Sequence, residues 1–294
     1  MTDKRATIIY NPMSGRPGGR ADDARKMAGL LARRGISAEA RATTGPDDAS
    51  RLAREAVEGG ADIVISYGGD GTLNEVIQGM AGSPASLAVW PGGTSNVVAR
   101  DLNIPFKIEQ LAELISRGET KRMSLGLVRP SERYFFMMAG IGLDASIARG
   151  VNRKLKRRTG EFAYWITGIK HLFTWQAEPF VIEVDGKPYE SVFSIIGNGK
   201  GYGGGMCMTP HAKLDDPWFE VYILPRQANK FAYLRVLAAC MRGNPEETNA
   251  VLIKGKHIKA NSTHEPWVEA DGEIIGPLPM TFDIVPAALS VIVP

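Results

Sequence analysis

The sequence holds only two cysteines, Cys207 and Cys240, far apart along the chain and in no Cys-x-x-Cys pair, so neither a disulfide framework nor a zinc site is indicated. Its four histidines, His171, His211, His257 and His264, form no spaced cluster. Long apolar runs are missing too: none approaches the roughly 18 residues that a membrane-spanning helix needs. The opening "MTDKRATIIYN" passes from charges into a strand without a signal-peptide core. The expected location is therefore cytoplasmic, with any membrane contact peripheral. A formal net charge of +3 gives no reason to expect a nucleic-acid partner. At 294 residues, 44% apolar and 23% charged, the composition is that of a globular protein, and the length favours about two domains.

What is present first is a rhythm. "ATIIY" (6–10) reads as a strand, and residues 20–34 place Ala24, Met27, Ala28 and Leu31 at helical spacing before Gly35. A weaker strand "ISAEARA" follows, then a helix opening near Asp47 as N-cap, the strand "DIVISY" (62–67), a helix carrying Leu73, Val76, Ile77 and Met80, and the strand "SLAVW" (86–90). Alternating strands and helices predict a mostly parallel sheet with helices on both faces. From about residue 120 the pattern changes to strand-like runs such as "FVIEVDGKPYESVFSIIG", where Asp185 and Gly186 make a hairpin turn, interrupted by helical stretches near 160–174 and 229–242. The expected fold is α/β, an N-terminal parallel-sheet domain over 1–122 followed by an antiparallel, β-sandwich-like domain over 123–294 whose last strand can return to the first.

Three turns follow strands of the first half: "NPMSGRPGG" (11–19), "GGDGTLNE" (68–75) and "PGGTSN" (91–96). At the carboxyl end of a parallel strand, glycines let backbone approach a phosphate, and the amides opening the next helix supply donors. Gly68, Gly69 and Gly71 suit that role. An aspartate there would repel phosphate unless a divalent cation lies between them, so Asp70 implies Mg²⁺ and a nucleotide. A lone turn of this kind reads better as a structural turn with Asp70 capping a helix; three on one sheet edge, with Asn11, Ser14, Gly15, Thr94 and Asn96 offering hydrogen bonds, make a cleft. Neither the GxxxxGK[ST] loop nor a GxGxxG after these strands occurs, which argues against P-loop and dinucleotide-binding readings.

The segments "NPMSG", "YGGDGTLNE" and "PGGTSNVVAR", with "GIGLDA", "AKLDDPWFEV" and "EADGE" later in the chain, resemble the diacylglycerol kinase superfamily, especially its bacterial lipid kinases and, more remotely, the sphingosine and ceramide kinases. The resemblance spans nearly the whole chain and implies an ATP-dependent lipid kinase. It implies a nucleotide site built from Asn11, Ser14, Gly15, Thr43, the segment Gly69, Asp70, Gly71, Thr72 and Glu75, and Thr94, joined by Asn96 from the turn itself, with Asp70 holding the Mg²⁺ of ATP. A second, structural Mg²⁺ is implied at Asp216 with the carbonyls of Lys213 and Trp218, and Glu273 is implied as general base, with Asp70 as competitor. Two positions depart from the family pattern: Val97 stands where an aspartate is common, and Pro217 stands where a glycine follows the paired aspartates. Without the resemblance, "ADGE" reads as an ordinary hairpin turn.

For the lipid side, "RKLKRR" (153–158) precedes Phe162, Trp165, Ile166, Ile169, Leu172 and Phe173 on one helical face. This reads either as a surface for an anionic membrane or as a solvated loop before a core helix. Three function classes stand open: a lipid kinase acting on diacylglycerol or a similar alcohol, a kinase of the NAD kinase type acting on a soluble substrate, and a non-catalytic nucleotide-binding module. The lipid's identity and the oligomeric state, with a homodimer among the options, stay open.

Overall fold

The computed structural model describes residues 4–13, 19–143, 177–201, 206–227 and 230–294. The chain divides into two compact units, Met1–Ser124 with Ala287–Pro294, and Leu125–Pro286.

In the first unit, β1 (Lys4–Tyr10), β2 (Ile36–Ala42), β3 (Ile63–Gly68) and β4 (Ser86–Pro91) form a parallel sheet in the order β2-β1-β3-β4. Between them run α1 (Arg20–Ala32), α2 (Asp48–Glu58) and α3 (Asp70–Met80); α4 (Val97–Asp101) and α5 (Ile108–Arg117) follow β4. All six residues of β3 are buried, the signature of a parallel strand covered on both faces. The connection β1-α1-β2 steps one way along the sheet and β2-α2-β3-α3-β4 steps the other, so right-handed crossovers put α1 on the face opposite α2 and α3. The observed pairings agree: α1 packs with α5, and α2 with α3. The chain reverses direction beside β1 and β3, and the loops leaving those two strands diverge there. The last residues of β16 (Met280–Ile292) complete this sheet, Ser290 and Val291 pairing parallel with Ser86 and Leu87 of β4.

The second unit holds two antiparallel sheets. One has the order β12-β11-β10-β7-β14-β15, built from Val251–Gly255, Phe219–Leu224, Phe193–Gly197, Met138–Ile141, Trp267–Ala270 and Glu273–Pro277. The other joins the first half of β16 to β13 (His257–Asn261), β8 (Phe180–Val184) and β9 (Lys187–Ser191), with β5 (Thr120–Arg129) and β6 (Arg133–Phe135) beside it. Their inner faces share one core, including Phe135, Phe219, Ile182, Ile258 and Phe282, which makes this unit a β-sandwich. The Asp185–Gly186 hairpin is present with both residues at positive φ, 49° and 84°. Helix α6 (Lys230–Met241) supplies the second helical stretch; the first, near 160–174, lies outside the described residues, as do "RKLKRR", Ser14 and Gly15.

Asp47 is the N-cap residue of α2, as expected, with φ 61° and no capping hydrogen bond from its side chain. Asp48 organises the turn instead, its Oδ2 accepting the Thr44 N–H at 2.8 Å and the Thr44 hydroxyl at 2.9 Å.

Candidate active site

Strand register brings the starts of the three turns to one edge. Tyr10, Ala42, Tyr67 and Trp90 lie in one row across β1, β2, β3 and β4. Asn11, Thr43, Gly68 and Pro91 therefore follow at the carboxyl ends, and the ladder continues there as Thr43 N–H to Tyr10 O (2.9 Å) and Gly92 N–H to Gly68 O (2.8 Å). This is the crevice at the reversal point of an open α/β sheet, where ligands of such sheets bind. Thr44 spends its hydroxyl on Asp48, whereas the Thr43 hydroxyl has no partner among the described residues, which favours Thr43 for a ligand contact.

Asp70 is the first residue of α3 and does not cap that helix; Gly69 holds the N-cap position. Its Oδ1 instead accepts the Val97 N–H at 2.8 Å and so ties the second turn to the third. Burial pushes the Asp70 carboxyl above the usual carboxylate range, against the lowering effect of the backbone amides of Val97, Asn96 and Val98. Asn96 is also occupied. It sits at φ 46°, its Oδ1 accepting the Gly93 N–H and its Nδ2 donating to the Gly93 carbonyl, both at 2.8 Å, so the amide shapes the turn. Glu75 accepts the Ala49 N–H at 3.1 Å near the start of α2, and Asn11 Oδ1 accepts the Met13 N–H at 2.9 Å. Thr94 is exposed and Thr72 half-buried.

The sequence reading missed Arg20. This arginine is buried, lies 4.1 Å from the Tyr67 ring centroid and donates to the Gly92 carbonyl. Tyr67 stacks on Trp90 at 3.6 Å and donates to Asp23 at 2.6 Å; burial, helped by that carboxylate, pushes its phenol up to about 12. The group pins the third turn to the sheet. Its only trace in the sequence is an arginine directly after a glycine pair.

In the second unit, the β14–β15 hairpin carries "EADGE". Glu269 is buried and accepts the Gly272 N–H at 2.7 Å. Asp271, at φ 48°, accepts the N–H groups of Phe136 (2.6 Å), Met137 (2.9 Å) and Met138 (3.1 Å). Glu273 is ion-paired to Arg133 in a partly exposed setting. Asp216 lies in a turn where its N–H donates to the Lys213 carbonyl at 2.8 Å, so the carboxylate and that carbonyl belong to one local structure. Trp218 packs under Lys254, whose Nζ is 4.6 Å from the ring centroid.

Residues 5–128 match the family model described as diacylglycerol kinase catalytic domain, and residues 138–293 match the one described as YegS C-terminal NAD kinase beta sandwich-like domain. A diacylglycerol kinase of Bacillus subtilis is 33% identical over 285 residues, covering 95% of this chain and 93% of the relative. One from Staphylococcus aureus is 32% identical, covering 95% and 89%. The crystal structure of a diacylglycerol kinase from Bacillus anthracis aligns with TM-score 0.81 at 25% identity, covering 100% and 98% of the two chains. A second crystal structure from that organism aligns with TM-score 0.84 at 25% identity, covering 100% and 97%. The chain belongs to the diacylglycerol kinase family.

For a diacylglycerol kinase family member, the glycines of the second and third turns divide by purpose. A Cβ on Gly93 would stand 2.5 Å from the Gly69 Cα, and one on Gly92 would collide with the Arg20 guanidinium, so these glycines serve packing between turns. A Cβ on Gly71 would meet nothing within 4 Å. Nothing inside the protein requires glycine there, and in a helix glycine is less favourable than alanine by up to about 1 kcal/mol. The open space suits a phosphate approaching the first turn of α3. Gly71→Ala should therefore keep or raise the unfolding midpoint while increasing the KM for ATP at least about tenfold, the cost of displacing one close backbone contact. An unchanged KM would remove Gly71 from the nucleotide's surroundings.

Proposed function

We propose that the protein transfers the γ-phosphoryl group of ATP to the hydroxyl of a lipid alcohol, diacylglycerol or a close analogue. The observation that carries this reading is the open backbone cradle at Gly71 beside the half-buried Asp70 carboxylate, at the reversal point of the sheet, in a chain of this family. The amides of residues 69–72, at the positive end of α3, would hold the phosphates. Thr43 and Thr94 would add hydroxyl contacts. Asp70 would hold Mg²⁺, which with ATP supplies neutralisation of charge on the transferring group. Oδ1 of Asp70 already accepts the Val97 amide, which orients the carboxylate and aims it before a ligand arrives. Glu273 would accept the proton of the lipid hydroxyl.

Hard oxygen donors at Asp216 and Lys213 suit a second Mg²⁺, with the Trp218 carbonyl as the third donor. The turn at Asp216 forms with Pro217 in place, so proline does not prevent the local structure that joins Asp216 to Lys213. The enzyme would act in the cytoplasm at a membrane surface; among the described residues, no helix is long and apolar enough to cross a membrane.

The test offers γ-labelled ATP with dispersed diacylglycerol and with NAD in parallel, with and without Mg²⁺, for the native protein and Asp216→Ala. Label in the lipid alone, dependent on Mg²⁺ and reduced in the variant, is the expected result. Label in NAD would replace the lipid reading with the soluble-substrate one, and label in neither would leave a nucleotide-binding module. Full activity of Asp216→Ala would remove the second metal site.

A further inference from the structure

Helix α6 is apolar on two faces. Tyr233, Val236, Ala239 and Cys240 point into the second unit and are buried. On the opposite side, Phe231 is 70% and Met241 56% exposed, with Leu234 and Ala238 half-buried between them. The spacing 231, 234, 238, 241 sets these four in one column along the helix. A surface helix ordinarily turns polar groups outward, so a column led by an exposed phenylalanine marks a binding surface.

The helix and its flanking residues carry charges of one sign up to Glu246 and Glu247, which lie just past its carboxyl end. From residue 225 to residue 245 there is no aspartate or glutamate, while Arg226, Lys230, Arg235 and Arg242 all lie in that stretch. Arg235, beside Phe231 on the helix surface, is exposed and has no ion pair among the described residues; the same is true of Arg226. Arg242 pairs with Glu247 at 3.0 Å. A second copy of the chain, docked face to face by a twofold axis, would set these cations against one another. An anionic lipid surface complements both features at once, accepting the apolar column at the headgroup boundary and the arginines among the phosphates.

We propose that the outward face of α6 docks on anionic membranes, with Phe231, Leu234 and Met241 entering the headgroup layer and Arg226 and Arg235 contacting lipid phosphates. The inference rests on the lipid-kinase reading, which requires the protein to meet a water-insoluble alcohol. It assigns the docking role to residues other than "RKLKRR".

Sedimentation with phosphatidylcholine vesicles, with and without phosphatidylglycerol, tests it on the native protein and on the double variant Phe231→Ser/Met241→Ser. Both side chains are exposed, so the unfolding midpoint should be unchanged. Partition onto phosphatidylglycerol vesicles should fall at least about tenfold, the scale of losing one large buried apolar side chain. Arg235→Gln should give a smaller loss that vanishes at high salt. In Phe231→Trp, the indole emission should shift to the blue on adding anionic vesicles. Phosphorylation of a short-chain, water-soluble diacylglycerol should be the same for the native protein and the double variant. If the native protein binds vesicles through α6 but phosphorylates neither lipid, the kinase reading fails and the surface stands. Equal vesicle binding by native and double-variant protein overturns the proposal. So does a native dimer that the double variant converts to monomer with vesicle binding intact, which would make the face a self-association surface.

Discussion

Asp70→Asn is expected to lower phosphoryl transfer by about 10²-fold or more, the scale of losing a charged group that stabilises the transition state, and to raise the midpoint of thermal unfolding at neutral pH. Both effects come from one observation. The carboxylate is half-buried and its pKa is raised because partial burial disfavours the ionised form. The folded protein therefore holds the Asp70 proton more tightly than the unfolded chain does. Between the two pKa values stability falls as pH rises, so above that window the native protein carries the cost of an ionised half-buried group. Asparagine removes that cost and keeps an oxygen for the Val97 N–H, so the tie between the second and third turns survives. The gain in midpoint should be largest at neutral pH and shrink as pH drops through the carboxylate range, where native Asp70 becomes protonated. Near-normal turnover by Asp70→Asn would end its role in the reaction. A lower midpoint at neutral pH would show that the carboxylate charge stabilises this turn.

Periodicity read well where neighbours in sequence are neighbours in space. In the first unit each strand and its following helix form one local repeat, so "DIVISY" and the helix after it were legible, and with them the parallel sheet and the edge holding the three turns. In the second unit the alternating runs announced half-buried strands but not which sheet each joins. β12 and β13 are separated by a single residue, Lys256, yet β12 pairs with β11 and β13 with β16 and β8. An alternation of apolar and polar residues looks the same in both sheets, and the choice is made by packing across the sandwich.

The site divides in the same way. Glycines at strand ends were readable because their backbone freedom is a local property. The ties that hold them depend on contacts distant in sequence. Arg20 reaches Gly92, Asp70 reaches Val97, and Asp271 reaches residues 136–138. Asn96 could be read as a polar group available to a ligand, but its folded-back amide could not, since that depends on the left-handed conformation it adopts in the turn.

Those ties also separate the three acidic side chains of "EADGE". Glu269 and Asp271 accept backbone N–H groups, four between them in the hydrogen bonds given above. Removing Asp271 would leave the buried Phe136, Met137 and Met138 donors unpaired at about 1–3 kcal/mol each, so its loss would first be felt as unfolding. Glu273 differs. Its bond to Arg133 is a side-chain ion pair with 30% and 37% of the two side chains exposed, and pairs in such settings contribute about 0–1 kcal/mol. Glu273→Gln should therefore leave the unfolding midpoint nearly unchanged. If Glu273 accepts the proton of the attacking hydroxyl, the same change should lower kcat by about 10²–10⁴-fold, the usual contribution of a general base. The KM for ATP should move little, because the lost interaction belongs to the transition state. Parallel unfolding curves and steady-state kinetics on a soluble diacylglycerol decide the matter. A collapse of ATP affinity together with the rate would make Glu273 a structural or metal-linked residue, and an almost unchanged rate would pass the role of base to Asp70.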